Sequence, residues 1–268
     1  MTYRLLALDL DGTLLDARMQ ISPRVRAAVA AAQTQGVVVT IATGRTFRAT
    51  MPYVETLGLR GPVICYQGGA IFDPLIGAIS DPVTIAGPVA AEAAQMMLDL
   101  DLFCMVYAEE ILYVAERRAE LDYYLTFHPE GVDLIVTPDL VEVTKTLAPL
   151  KLQFTATPAL VDAKLPLFGP AFAGRLAVLR AHDHYGELTP LGVSKGRALA
   201  KLAQALDISQ AEVVAIGDHE NDIEMIAWAG LGLAMGNGIA TAQAAANAVL
   251  PTVAEDGVAW AIEHYILR

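Results

Sequence analysis

The chain has 268 residues, 54% of them hydrophobic and 18% charged, which suits a soluble globular protein long enough to hold two cores. Its formal net charge of -12 opposes any broad grip on a phosphate backbone, because nucleic-acid binding draws on clustered Lys and Arg; an anionic substrate must be captured locally. The first residues, MTYRLLALDLDG, lack a basic region followed by an apolar stretch and a cleavage site, so no export signal is expected, and the two cysteines, Cys65 and Cys104, stand far apart in apolar surroundings, which points to core thiols in a reducing cytoplasm rather than to a disulfide framework.

Leu5-Leu6-Ala7-Leu8 reads as a strand buried on both sides. Ser22-Pro23 then supplies an N-cap and a first-turn proline, Val25, Ala28, Val29 and Ala32 recur at helical spacing, and Gly36 closes the helix. Val37 to Ala42 is the next predicted strand, a helix follows from about Thr46 to Leu57, and Pro62 to Tyr66 is a third strand that leads into a hairpin across Asp73-Pro74-Leu75-Ile76-Gly77. From about Pro82 to Gly186 the texture changes to alternating strands, among them Phe103 to Tyr107 and Ile111 to Val114, with helices between. After Ser194 the strand-helix alternation returns, with helices at Lys195 to Leu206 and Asp222 to Ala229 around the strand Val213 to Ile216. Met225 to Leu250 carries no charge and is long enough for a membrane span. Gly230, Gly232, Gly236 and Gly238, with Asn237, divide it into short elements that could not satisfy their backbone groups in lipid, so a buried strand-turn-helix is expected and no membrane partner. The fold predicted is a doubly wound, Rossmann-like parallel-sheet α/β core made of residues 1–82 and 187–268, interrupted by an inserted α+β domain over 83–186.

Four stretches place polar residues where a buried strand ends, the position at which open parallel sheets hold ligands: DLDGT, ATGR, VSKG and GDHEND. Asp9 and Asp11 are two apart after the first strand, so alternation points both carboxylates to one side, and a hard cation such as Mg²⁺ relieves a buried carboxylate pair. Thr43 and Gly44 offer a hydroxyl and an unobstructed N–H to phosphate oxygens. Lys195 adds a fixed positive charge before a helix, and Asp218 a further carboxylate after the turn residue Gly217, with Asn221 and Asp222 opening the next helix. Singly, each of these has a plain reading as a turn, a cap or an exposed helix start. Their order along the chain is what points to a phosphoryl site.

On these motifs the chain resembles the haloacid dehalogenase superfamily, in particular its Cof-type phosphatases, whose pattern reads DxDGT, T, K and GDxxND; the tail Glu255-Asp256-Gly257-Val258-Ala259 resembles that family too. The resemblance implies a Mg²⁺-dependent phosphatase of small phosphorylated metabolites. Asp9 is then nucleophile and metal ligand, Asp11 the general acid and later base whose carbonyl also binds Mg²⁺, and Asp218 the remaining carboxylate ligand. Leu10 (through its backbone), Thr43, Gly44, Lys195 and Asn221 hold the phosphate, and Asp222 supports the ligands from behind. The inserted region takes the place of a lid that covers and selects the substrate. Phosphoryl transfer needs charge neutralisation and in-line positioning, which such a set supplies, and one carboxylate must hold a proton near neutral pH, a role expected of Asp11 through neighbours that favour its acid form. A phosphomutase or phosphotransferase passing the same phospho-aspartate to another alcohol, and a non-catalytic phospho-aspartate signalling module, are the competing readings.

Arg45 follows Gly44 and is a candidate contact for a substrate anion, with a structural ion pair as its other reading. His182 and His184 are expected to be ordinary surface histidines, His219 to be exposed, and Tyr123, Tyr124 and Phe127 to pack on a helix of the insertion. Gln67 in QGG stands where relatives commonly carry Asn, and Gln243 where they often carry Lys, which bears on local hydrogen bonding.

Overall fold

The computed structural model describes residues 3–80, 82–126 and 132–267. The chain divides into two compact units, one formed by Met1–Arg45, Thr50–Asp81 and Ser194–Arg268, the other by Thr46–Ala49 and Pro82–Val193.

The first unit is built on a five-stranded parallel sheet in the order Ala248–Val249, Leu231–Ala234, Val213–Gly217, Leu5–Leu8, Val38–Ile41. Leu8 lies opposite Ile216 on one side and Ile41 on the other. From Leu5–Leu8 the chain steps outward to Val38–Ile41, and from Val213–Gly217 it steps outward the other way, so the order reverses between these two central strands; their carboxyl ends flank the crevice where such sheets bind ligands. Leu5 and Ala7 pack with Val213, Ala215, Leu199, Leu202 and Met225 in one core cluster. Leu6 and Leu8 point to the opposite face and are equally inaccessible to solvent, as a doubly wound sheet requires. The helix Pro23–Thr34 begins where Ser22 Oγ accepts from Val25 N–H at 3.1 Å and buries Val25, Ala28, Val29 and Ala32. The charge-free segment forms the strand Leu231–Ala234, a loop, and the helix Ala240–Ala245. Val63–Cys65 touches the parallel sheet by a bridge between Ala42 and Ile64 and starts an antiparallel ribbon with Ala70–Asp73 and Ala78–Ser80, turned by Asp73, whose carbonyl accepts from Gly77 N–H at 2.9 Å.

The second unit holds a six-stranded sheet in the order Leu176–His182, Tyr185–Pro190, Lys151–Thr155, Phe103–Ala108, Ile111–Val114, Asp133–Val136. Every neighbouring pair is antiparallel except the last, which is parallel. Cys104, Val106, Leu152, Phe154 and Leu188 line one face and pack on Ala90, Ala93, Ala94 and Met97 of the helix Gly87–Asp99 and on Val161 and Phe168 of Pro158–Ala171. The expected boundary between 186 and 187 falls inside the strand Tyr185–Pro190, whose pairing with Lys151–Thr155 and Leu176–His182 keeps residues 187–190 in this sheet; the compact unit runs on to Val193. The glycine, the proline and the lone Glu187 of YGELTP hid that strand. Tyr124 packs its ring against Tyr107 and Tyr185, Tyr123 packs against His184, and Phe127 lies outside the described residues. His182 is exposed and His184 half-buried. Cys65 and Cys104 are both free and buried. Among the described residues no helix is long and apolar enough to cross a membrane.

Candidate active site

Asp9 is the first residue past the central strand Leu5–Leu8, tied to it by its own N–H, which donates to Ile216 O at 2.9 Å. Asp218 follows the neighbouring strand Val213–Gly217 in the same way. Gly217 permits the close return of the chain behind that strand: a Cβ there would stand 2.4 Å from Asp222 Cβ. The short turn Glu220–Asp222 brings Asp222 back so that its Oδ2 accepts from the N–H groups of Asp218 and His219 at 2.9 and 3.0 Å. Lys195, the first residue of the helix Lys195–Ala205, is capped by Ser194 and only 1% exposed. Its ammonium donates to Asp9 Oδ1 at 2.5 Å and to Asp222 Oδ1 at 2.6 Å. These residues are 186 and 27 positions from their partners, so only the sheet's parallel order brings them together.

Carboxylate oxygens of Asp9, Asp218 and Asp222 lie within 4.8 Å of one another. Three carboxylates against one ammonium leave two negative charges in a largely buried place, and the donors are all hard oxygens, so the set fits a divalent cation of the alkaline-earth kind. Protonation shows the same imbalance. Burial, reinforced by the charge of Asp222 and only partly offset by Lys195, pushes the Asp218 carboxyl up to about 7. Asp9 moves the same way: burial and then Asp222 outweigh the attraction of Lys195, although that ammonium is in direct contact. For Lys195 burial works against the charge, but Asp222 and Asp9 together hold its proton more firmly than usual. The two members of the contact therefore pull in opposite senses. We take Lys195 as charged and the proton as held between Asp9 and Asp218.

Asp11 stands apart from this group. Its side chain is 47% exposed and is held through both oxygens by the buried guanidinium of Arg45, Nε to Oδ2 at 2.9 Å and Nη2 to Oδ1 at 2.6 Å. The ion-pair reading of Arg45 is thus contained in the geometry. The Asp11 carboxylate is not in the close group of three; Asp222, expected behind the ligands, is. The cause is the 3-10 turn at Glu220–Asp222, which folds that side chain inward. His219, expected to be exposed, is half-buried in the same turn.

Thr43 is 1% exposed and its hydroxyl accepts from Arg45 N–H at 3.2 Å. Gly44 must lack a side chain, since a Cβ would sit 2.3 Å from Gln67 Nε2. Gln67, at φ 59°, is 3% exposed, and its amide oxygen accepts from Asn221 Nδ2 at 2.9 Å, which ties QGG to the fourth motif. Asn221 Oδ1 is buried and lacks a hydrogen-bond partner among the described residues. Gly12, at φ +81°, lies against Asp218: a Cβ would approach Oδ2 to 2.4 Å. Leu10 is fully buried and its carbonyl accepts from Leu14 and Leu15 N–H.

Thr13 and Asn237 have structural roles around the site that were not singled out in the sequence, and Gln243 performs the local hydrogen bonding expected of it. Thr13 donates to Asp218 Oδ1 at 3.3 Å. Asn237 donates to Gly12 O and accepts from Val253 N–H, both at 2.8 Å. Gln243 donates from one nitrogen toward the carbonyls of Met235, Gly236 and Gly238 at 3.2, 3.2 and 3.1 Å, the same task an ammonium at that position would perform. The polar residues in NG and in the alanine-rich helix were the available signal.

A carboxylate group of three with a buried lysine, set where a doubly wound sheet reverses its strand order, defines an α/β enzyme. The chain belongs to the haloacid dehalogenase-like hydrolase family, whose model matches residues 6–262. It is 31% identical over 269 residues to the 5-amino-6-(5-phospho-D-ribitylamino)uracil phosphatase YcsE of Bacillus subtilis, covering 98% of this chain and 96% of that one. It is 30% identical over 281 residues to the pyridoxal phosphate phosphatase YbhA of Escherichia coli, covering both chains in full. A crystal structure of a haloacid dehalogenase-like hydrolase from Bacteroides thetaiotaomicron matches with a TM-score of 0.87 at 27% identity, over 98% of this chain and 99% of that chain.

Proposed function

We propose that the chain hydrolyses phosphate monoesters of small metabolites in the presence of Mg²⁺, through an aspartyl phosphate formed on Asp9. The observation that carries this reading is the contact of Asp9 with Lys195 inside the group formed with Asp218 and Asp222. Asp9, Asp218 and the carbonyl of Asp11, with Asp222 beside them, would hold Mg²⁺, which when bound supplies charge neutralisation for the phosphoryl oxygens.

The chain's own groups do the rest. A carboxylate oxygen of Asp9 attacks phosphorus in line, and the bond from phosphorus to the alcohol oxygen breaks as Asp11 gives that oxygen a proton. Water then attacks the phosphorus of the aspartyl phosphate while Asp11 takes its proton, and the bond to Asp9 breaks to release inorganic phosphate. Lys195, Thr43, Gly44, Asn221 and the backbone of Leu10 bind the phosphate, and Asp222 fixes Lys195 by a 2.6 Å bond. Arg45 holds the Asp11 carboxylate in place through Nε and Nη2. The inserted unit is assigned the lid role implied by its place in the chain, the unit of Met1–Arg45, Thr50–Asp81 and Ser194–Arg268 the catalytic role, and the free buried thiols suit a cytoplasmic setting.

The test is a screen of phosphorylated metabolites with Mg²⁺, measuring free phosphate, beside an Asp9→Asn variant. The parent is expected to turn over and the variant to lose nearly all activity, because an amide is a poor nucleophile and a weaker ligand. Equal turnover by the two removes Asp9 from its role, and phosphate passed to an alcohol without release replaces hydrolysis with transfer.

A further inference from the structure

Gln67 lies outside the four motif stretches and yet its turn, Tyr66–Gly68, is fastened to three of them. The main chain is tied to ATGR: Gln67 N–H donates to Thr43 O and Tyr66 N–H to Arg45 O, both at 3.0 Å. The Gln67 amide covers Gly44 so closely that no side chain fits there. Gly68 rests on the carbonyl of Ser194, the residue that caps the helix beginning at Lys195; a Cβ on Gly68 would approach that oxygen to 2.2 Å. The Gln67 side chain then reaches Asn221, 154 positions away, in the acidic stretch. All of these residues belong to one compact unit.

The turn is not one that its backbone adopts readily. Tyr66, Gln67 and Gly68 stand in succession at φ 53°, 59° and 97°, and the first two carry side chains in a region where a Cβ is crowded. Both are buried. Strain of this kind persists only where the surroundings over-determine it, and it gathers at functional sites.

Asn221 shows what the turn controls. Its Nδ2 donates to Gln67 Oε1, while its own Oδ1 is buried with no hydrogen-bond partner among the described residues. Turning this amide over would set Oδ1 against Gln67 Oε1, two acceptors face to face, so the Gln67 oxygen holds the Asn221 amide this way round. Nδ2 has two hydrogens. One is committed to Gln67, and the other is a donor that an anion can use. A reversed amide would offer an anion its oxygen and repel it.

We propose that Gln67 is a positioning residue for phosphate binding: it keeps an N–H of Asn221, rather than its oxygen, turned to the phosphate held by Thr43, Gly44 and Lys195. This deepens the phosphatase reading and rests on it for the place of the phosphate.

Inorganic phosphate is titrated by calorimetry into the full chain with Mg²⁺ and into Gln67→Met, Gln67→Asn, Asn221→Ala and the double variant Gln67→Met with Asn221→Ala. Methionine keeps the shape of glutamine without its amide. Asparagine suits a left-handed φ, so the turn is kept, but its amide is one methylene short of Asn221. Each Gln67 variant is expected to bind phosphate about tenfold more weakly. Asn221→Ala should cost a similar factor in the parent and little more in the Gln67→Met background, because the two residues act as a pair. A residue that only packs would lower the melting temperature of Gln67→Met, leave its phosphate affinity unchanged, and multiply with Asn221→Ala; unchanged affinity or independent effects overturn the proposal. If Gln67→Met does not fold, Gln67→Asn decides, and parent-like affinity overturns it. In ¹⁵N-labelled parent, the side-chain amide signal of Asn221, identified by its loss in Asn221→Ala, should shift saturably with phosphate, and an unshifted signal overturns the proposal without any Gln67 variant. A parent that hydrolyses no monoester removes the phosphatase reading while the phosphate titrations still decide the role of Gln67; a parent that binds no phosphate overturns both.

Discussion

Raising the pH of the cation-free protein from about 5 to about 8 should destabilise it, and Asp218 is the residue on which the size of the effect can be worked. Its carboxyl titrates at about 7 in the folded chain against an ordinary 3.8. Below 3.8 both states hold the proton and the shift costs nothing. Between the two values the unfolded chain has released its proton while the folded chain keeps it, so stability falls as pH rises. Complete passage through the window costs about 4 kcal/mol, and about 2.5 kcal/mol of it falls between pH 5 and 8. Asp9 shifts in the same direction and adds to the loss. The carboxylates whose proton affinity is reduced, Asp16, Glu212, Glu255 and Glu263, act in the opposite sense but only at lower pH, where they titrate. Urea unfolding in a chelator across this range should show the decline, and the stabilisation gained by adding Mg²⁺ should grow as pH rises. Asp218→Asn removes the ionising group while keeping the shape. It should flatten the pH slope, be more stable than the parent near pH 8 without metal, and gain less from Mg²⁺. A parent whose stability is level or rising over the range, or a variant with the parent's slope, would refute the electrostatic account of the site.

Lys195→Met leaves Asp9 and Asp222 buried without their ammonium and should cost about 3–5 kcal/mol of stability at neutral pH, measured by thermal unfolding, with phosphatase activity lost as well. Gly12→Ala forces a side chain toward Asp218 at a left-handed φ of +81°; about 1–3 kcal/mol of strain is expected, together with weaker Mg²⁺ binding by calorimetry, and unchanged Mg²⁺ affinity would remove Gly12 from the site. Gln243→Leu strips the amide from the carbonyls of Met235, Gly236 and Gly238 and should lower stability by about 1–3 kcal/mol, whereas Gln243→Lys should stay within about 1 kcal/mol of the parent because it restores the donor.

Much of the architecture was legible because it rests on local rules. Ser22-Pro23 with the apolar spacing behind it marks one helix start, Ser194 before Lys195 another, and the glycines that break the charge-free segment mark a strand, loop and helix. The hidden parts depend on partners far away in the chain. The strand Tyr185–Pro190 carries Glu187 inward, which a period-two reading takes for a surface residue; burial is possible only because Lys151, 36 positions away, supplies the countercharge at 2.6 Å. The preference of Asp11 for Arg45 is of the same kind, since two residues 34 apart meet after separate strands end side by side.

The order and type of the motif residues, read without coordinates, were enough to indicate an α/β enzyme with acidic groups and a lysine at strand ends, because polar side chains directly after buried strands have few other places to go. Which carboxylates share one cluster was settled only by the fold. The parallel register sets Asp9 beside Asp218, and the turn at Glu220–Asp222 swings Asp222 onto Lys195. Coulomb energies change over a few ångströms, whereas residue spacing along a chain says nothing about such distances once a whole domain is inserted between the partners.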